Sequence, residues 1–268
     1  MLQTLINAWK IADLRKKLLF TALVVFIFRV GAAVPVPFVN IGAEGIIADQ
    51  NSGTFMNYLS MMTGNAFNYG TIFAMSITPY INSSIIMQLL TVAIPYLERL
   101  QKEGEVGRKK IAAITRYVTV ALGILQSTAY YFYLRNGKFL SLDQSGHAFT
   151  GFWAVFQAII IILCFTAGTA LIMWLGEQIN DKGIGNGISI ILFAGIVSRL
   201  PTLIAQLYGP EIGYIAKGGP YAVLSPIVGI ILILMIAFIV WMDNAERRLP
   251  VQYAKRVVGR KQYGGQKS

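Results

Sequence analysis

The sequence predicts an all-α polytopic membrane protein with six transmembrane helices, and three observations carry that prediction. Only 13% of the 268 residues are charged while 55% are hydrophobic, for a mean hydropathy of +0.59. A soluble domain carries about 25% charged residues, and this chain cannot solvate itself with so few. Six apolar segments meet the requirement of about 20 mostly apolar residues for crossing about 30 Å of hydrocarbon. They are 18–34, 71–96, 111–134, 151–175, 188–207 and 221–242. The net charge of +11 is also unevenly placed. Lys10, Arg15, Lys16 and Lys17 precede span one, and Arg99, Lys102, Arg108, Lys109 and Lys110 lie between spans two and three. The alternate connections hold only Arg135 and Lys138, then Lys217. Positive charge stays on the cytoplasmic side, so both termini are expected there, as an even number of spans requires.

Taken in order, residues 1–17 predict a cytoplasmic amphipathic helix with Leu2, Leu5, Ile6, Trp9 and Ala12 on one face. The basic cluster that follows directs span one as an anchor rather than a removable leader. The connection 35–70 is rich in Gly and Asn. It contains Phe55, Met56, Leu59, Met62 and Ala66 at helical spacing, flanked by Gly53 and Gly64, in a helix too short to span. Non-helical backbone at membrane depth survives only where protein buries it or water reaches it. The pattern therefore admits two readings, a re-entrant element in a cavity or a surface helix at the outer face.

Span two holds Thr78, Pro79, Asn82, Ser83, Ser84 and Gln88. Pro79 predicts a kink. Thr78/Asn82 and Ser84/Gln88 are i,i+4 pairs forming a polar stripe, which must face helices or water rather than lipid. Packing between helices is the plainer reading and an aqueous passage the sharper one. Spans four and five are joined through Gly176, Gly183, Gly185 and Gly187. These glycines predict a tight turn with φ > 0, with Asn180 or Asn186 capping the next helix. Glu177, Asp181 and Lys182 are candidates for an ion-pair set at that end. Residues 247–268 carry seven Lys/Arg and no acid, with Tyr253 and Tyr263 interspersed. Such an arm suits RNA or ribosomal phosphates, acidic protein surfaces or anionic lipid.

No span contains Asp, Glu or His. Arg29, Arg116 and Arg199 are the only charges within the spans, each expected to snorkel to an end. An ion-coupled transporter would place a carboxylate near the midplane, and an intramembrane protease needs paired acids, a Ser/His pair or a metal site. His147 reads as a surface residue of an outer loop. Cys164, the single cysteine, has no partner for a disulfide or metal and reads as a small buried hydrophobe. The GIGNG stretch lacks the G-x-G-x-x-G and lysine of nucleotide loops. No enzymatic activity, cofactor or metal is expected.

Four stretches together resemble the SecY family of protein-conducting channels of the general secretory pathway. They are TIFAMSITPYINSSIIMQLL (71–90), WLGEQINDKGIGNGISIIL (174–192), VPVPFV (34–39) and RRLPVQYAKRVVGR (247–260), and the resemblance covers essentially the whole chain. Ser76 stands where the first family signature has glycine, a departure expected to loosen helix packing there. The resemblance implies ten helices in two inverted halves around an hourglass pore, an architecture recurrent in membranes. This chain would supply the first half (18–207, with a re-entrant plug at 53–68), an outer loop with span six (208–246) and the start of a cytoplasmic loop (247–268). Spans seven to ten would come from elsewhere.

The resemblance also implies residue roles. Ile77, Ile81, Ile188 and Leu192 match the aliphatic pore ring, where a dewetted constriction resists ions. Phe55, Met56, Leu59, Met62 and Ala66 match the plug, and Gln88 and Asn186 match polar positions near the lateral gate. Arg247, Arg248, Arg256 and Arg260 fall in the loop presented to the ribosome or the SecA motor. The implied function is passive conduction of unfolded secretory polypeptides, with lateral release of hydrophobic segments into the bacterial inner membrane. Implied partners are SecE, SecG, SecA, the ribosome, secretory polypeptides and anionic lipids. Two other classes compete: a partial solute transporter, which requires a midplane carboxylate in further helices, and a non-conducting assembly fragment that binds through its tail.

Overall fold

Long apolar runs without internal proline fold as long helices here, and the breaks fall where proline, glycine or a polar residue dictates. The computed structural model describes residues 9–42, 45–46, 54–141, 151–208, 220–246, 251–252, 256–258, 261–263 and 266–267. Leu2, Leu5, Ile6, Gly53, His147, Lys217, Arg247, Arg248 and Arg260 lie outside them, so expectations for those residues rest on the sequence. The chain divides into two compact units, Met1–Leu200 and Pro201–Ser268.

In the first unit α1 (Ala12–Gly31) starts after Ile11, in extended conformation, and so already includes the Arg15-Lys16-Lys17 cluster expected before it. It ends ahead of Val34-Pro35, since proline disfavours helix in the residue before it. The short α2 (Thr54–Met62) follows. Span two is not one helix from residue 71. Residues 71–77 are turns and α3 (Thr78–Ala93) begins only afterwards, with Pro79 in its first turn. Proline there lacks only an N–H that has no helical acceptor, so it starts the helix and does not kink it. Ile94, held extended by Pro95, then turns the chain through 99° into α4 (Pro95–Lys102). The unit is completed by α5 (Glu105–Asn136), α6 (Phe152–Lys182) and α7 (Gly187–Val197).

Helix α5 packs against α3 and α6. Its buried face repeats every four residues as Thr115, Thr119, Gly123 and Ser127. Small residues at that spacing let backbones approach closely in lipid, and their hydroxyls bond across the seam. Ser83 of α3 and Thr119 of α5 share a hydroxyl–hydroxyl bond of 2.5 Å. Packing glue is therefore Ser83, between the two expected pairs rather than in either. Cys164 is half-buried and packs against a core cluster that includes Ile161, Phe165 and Tyr130.

In the second unit the described residues form most of α8 (Leu200–Tyr208), then α9 (Pro220–Asp243), with Pro226 inside it. The tail adds two short antiparallel pairs to this helical framework. β1 (Val251–Gln252) pairs antiparallel with β4 (Gln266–Lys267), and β2 (Arg256–Val258) with β3 (Lys261–Tyr263).

Among the described residues three helical stretches are long and apolar enough to cross a membrane: α5, α6 and Pro226–Asp243 of α9. The bent pair α3–α4 would make a fourth. The other two expected spans fall short of that measure. Helix α1 holds five charged residues in its 20, and span five breaks after 11 residues, at the end of α7.

Candidate functional site

The unusual part of the first unit is the backbone between α2 and α3. Thr63, Ala66, Phe67, Thr71, Phe73, Ala74, Met75, Ser76 and Ile77 are all buried, although little of this stretch is regular helix. Non-helical backbone in such a place has to be held by protein. The VPVPFV stretch supplies part of the hold: Val36 N–H donates to the Gly70 carbonyl (3.2 Å) and Ile72 N–H to that of Val34 (3.0 Å). On its other edge Asn40 N–H donates to Phe139 O (2.9 Å) and Ser141 N–H to Phe38 O (2.8 Å). The Phe73 ring stacks on Phe28 of α1, centroids 5.8 Å apart. On the α6 side Gly168 makes room: a Cβ there would stand 2.0 Å from the Ile72 carbonyl oxygen. Tyr130 of α5 donates its hydroxyl to Phe67 O (2.5 Å).

This strap delivers α2 onto α7. The helix ends in a two-bond cap in which Asn65 N–H donates to Ser60 O (3.0 Å) and Gly64 N–H to Met61 O (3.3 Å). Gly64 has positive φ, +63°, as this cap requires, and Asn65 follows in the same region at +73°. The helix is thus shorter than expected, and Ala66 lies in the buried turn beyond it. Leu59 and Met62 are half-buried on α2, which also carries Phe55 and Met56. Leu59 and Thr63 line a cavity of about 330 Å³ together with Met75, Thr78, Asn82 and Gln126. One half of the polar stripe therefore faces a hollow beside α2, while Gln88 of the other half is exposed.

The four aliphatics that the resemblance matches to a pore ring lie in and around one hydrophobic cluster. Ile77 is buried in a cluster with Phe28, Ile172, Leu175, Ile179 and Ile191, and Ile81, Ile188 and Leu192 are half-buried against it. Ile77 and Ile188 meet over Gly176, each 3.7 Å from where its Cβ would be. Gly187 permits this, because α7 touches α6 there: its own Cβ would stand 2.1 Å from Gly176 O. Of the four turn glycines only Gly185 has positive φ, +71°. Gly183 and Gly187 serve close approach, which corrects the expectation that φ freedom explains them all. Asn186 caps α7, its Oδ1 accepting from the N–H groups of Ile188 (3.0 Å) and Ser189 (3.4 Å). Asn180 Oδ1 takes the Gly187 N–H at 2.7 Å, so both asparagines contribute. No hydrogen bond joins Asn186 to Gln88 among the described residues.

Charge settles differently from the sequence reading. Glu177 pairs with Arg116 of α5 at 2.8 Å, rather than in a local set with Asp181 and Lys182. Arg29 and Arg199 do not both reach outward as expected. Arg199 Nη1 donates to Ser60 Oγ of α2 at 3.4 Å, and Arg29 Nη1 is buried against Gly64. Sequence reasoning missed both as site residues, although a cation within an apolar span is itself a functional signal. Arg256 opens strand β2, opposite Tyr263.

The SecY family model matches residues 71–268. Protein translocase subunit SecY of Streptomyces scabiei is 43% identical over 99% of this chain, and that of Corynebacterium glutamicum 40% identical over 98%. The chain spans 60% and 58% of their lengths. Among solved structures, Sec61 in a canine ribosome–channel complex from the endoplasmic reticulum matches at TM-score 0.55 and 21% identity, covering 88% of this chain and 49% of Sec61. A SecY structure from work on its plug domain, described as stabilising the closed translocation channel and maintaining a membrane seal, also matches at 0.55, with 19% identity over 95% of this chain and 53% of that one. With a buried strap, a short helix seated among longer ones and a matching family model over most of its length, the chain belongs to the SecY family.

Proposed function

We propose that this chain is part of the central subunit of a bacterial Sec translocation channel and acts as a passive conduit for unfolded polypeptides. The observation that carries the reading is the α2 seat. A nine-residue helix without charge is held in the bundle by a buried, non-helical strap, its C-terminal end against α7 at Gly195, about one turn beyond Leu192. In this reading α2 is the plug and the four aliphatics are this chain's share of the pore ring. A ring of branched side chains can close around a translocating segment while a dewetted constriction resists ions. Gln88, exposed on α3, and Asn186 belong to the polar lining of the lateral gate. Six spans with both termini cytoplasmic in the inner membrane, and four further helices from outside this chain, complete the topology.

The chain performs no covalent chemistry in this reading. SecA or a translating ribosome supplies the work and contacts the basic tail through Arg247, Arg248, Arg256 and Arg260, while SecE and SecG brace the assembly. The test is photocrosslinking from Ile81 and Ile188 to a stalled secretory chain, with the remaining helices co-expressed. Labelling from both positions is expected. If neither labels while lipid-facing Leu89 does, the pore assignment fails.

A further inference from the structure

The C-terminal end of α2 is approached by two arginines from two different elements. Arg199, just beyond α7, donates from Nη1 to Ser60 Oγ (3.4 Å), and Ser60 Oγ in turn donates to Asn65 Oδ1 (3.1 Å) inside the helix cap. Arg29, in the last turn of α1, places Nη1 3.0 Å from where a Gly64 side chain would begin. That nitrogen is buried and has no hydrogen-bond partner among the described residues. A buried guanidinium nitrogen without an acceptor is costly, so something in its surroundings has to favour positive charge. The end of α2 does, because the last carbonyls of a helix carry the negative pole of its dipole. Backbone contact forms the floor of the same seat. A Cβ on Gly64 would stand 2.8 Å from Gly195 O and 2.7 Å from Ser198 Oγ, and a Cβ on Gly195 2.9 Å from Met62 O.

We infer that Arg29 and Arg199 are positioning residues that hold the α2 helix docked, acting on its C-terminal pole above a Gly64–Gly195 backbone seat. The inference rests on the plug reading only for its purpose; the docking itself is independent of it. The design is releasable for a physical reason. A helix pole attracts a cation less strongly than a carboxylate would, and Arg29 regains water when α2 leaves. A full ion pair on Arg29 would hold the helix against an incoming chain.

Hydrogen exchange read by mass spectrometry on the full chain in nanodiscs tests this. Arg29→Gln and Arg199→Gln are each expected to speed exchange of the amides at 60–65 by roughly two- to tenfold. Arg29→Lys is expected to keep most of the protection, since it keeps the charge. Amides at 119–131 of α5 report whether each variant remains folded. Gly195→Ala reads the seat independently and is expected to loosen the same amides. Unchanged exchange at 60–65 in both glutamine variants overturns the inference, as does a lysine variant that behaves like glutamine. Ion leak through the assembled channel is measured alongside. Faster exchange without leak keeps the latch and removes the plug reading instead.

Discussion

Gly176 and Gly187 meet backbone to backbone: a Cβ on Gly187 would stand 2.1 Å from the Gly176 carbonyl oxygen. This contact closes the α6–α7 hairpin and sets Ile188 beside Ile77. Gly187→Ala forces the helices apart and is expected to cost about 1–3 kcal/mol, as overpacking in a core does. Gly185 sits in open space at φ +71°, with only Ile190 Cδ1 within contact at 3.8 Å. Asparagine tolerates that conformation, so Gly185→Asn is expected to be nearly neutral. Thermal unfolding in detergent should rank the two variants this way, and equal losses would contradict the division of labour among the glycines.

Ser76 occupies the left-handed region at φ +49° with its hydroxyl buried and without a partner. The glycine that the resemblance puts at this position would adopt that conformation without strain, so the cost of Ser76 is conformational rather than the looser helix packing expected from the sequence. Ser76→Gly removes the strain and the orphan hydroxyl, offset in part by the entropy of glycine. A net gain of about 1 kcal/mol is expected. A fall in the unfolding midpoint would refute it.

Asn186 has a structural duty whatever its part in gating. Asn186→Ala removes the α7 cap and is expected to cost about 1 kcal/mol, while Asn186→Asp keeps an acceptor and most of the stability. Polypeptide transport measured on the aspartate variant then isolates the gating role, because folding is held constant.

Arg116 and Glu177 tie α5 to α6 at 2.8 Å, with side chains 53% and 23% exposed. Solvent screening at that exposure limits the pair to about 0.5–1 kcal/mol in a double-mutant cycle. The coupling should shrink as salt is raised from 0.05 to about 1 M, where the screening length falls to about 3 Å. A salt-independent coupling would mean that the pair is more deeply enclosed than the structure shows.

Much of the helical frame was legible because it depends on local chemistry. Runs such as 111–134 and 151–175 have no way to satisfy their backbone in lipid except as helices, and Asn186 ahead of an apolar run carries the signature of a cap. The grouping of Ile77, Ile81, Ile188 and Leu192 came from family likeness, since aliphatics in spans ordinarily only pack. Residues 71–77 were misread for a physical reason. TIFAMSI is as apolar as a helix, and its non-helical path depends on Gly168, nearly a hundred residues away, leaving room for the Ile72 carbonyl.

By itself the sequence determined the membrane setting, the positions of the apolar runs, the glycine-marked hairpin and the lack of acids within the spans. These follow from composition and spacing, which act locally. The tertiary structure alone decided where the arginines of spans one and five go. Arg29 and Arg199 can satisfy local rules by reaching for water, yet both turn to α2, because the pole of a folded helix exists only after the chain has brought Gly64 against Gly195.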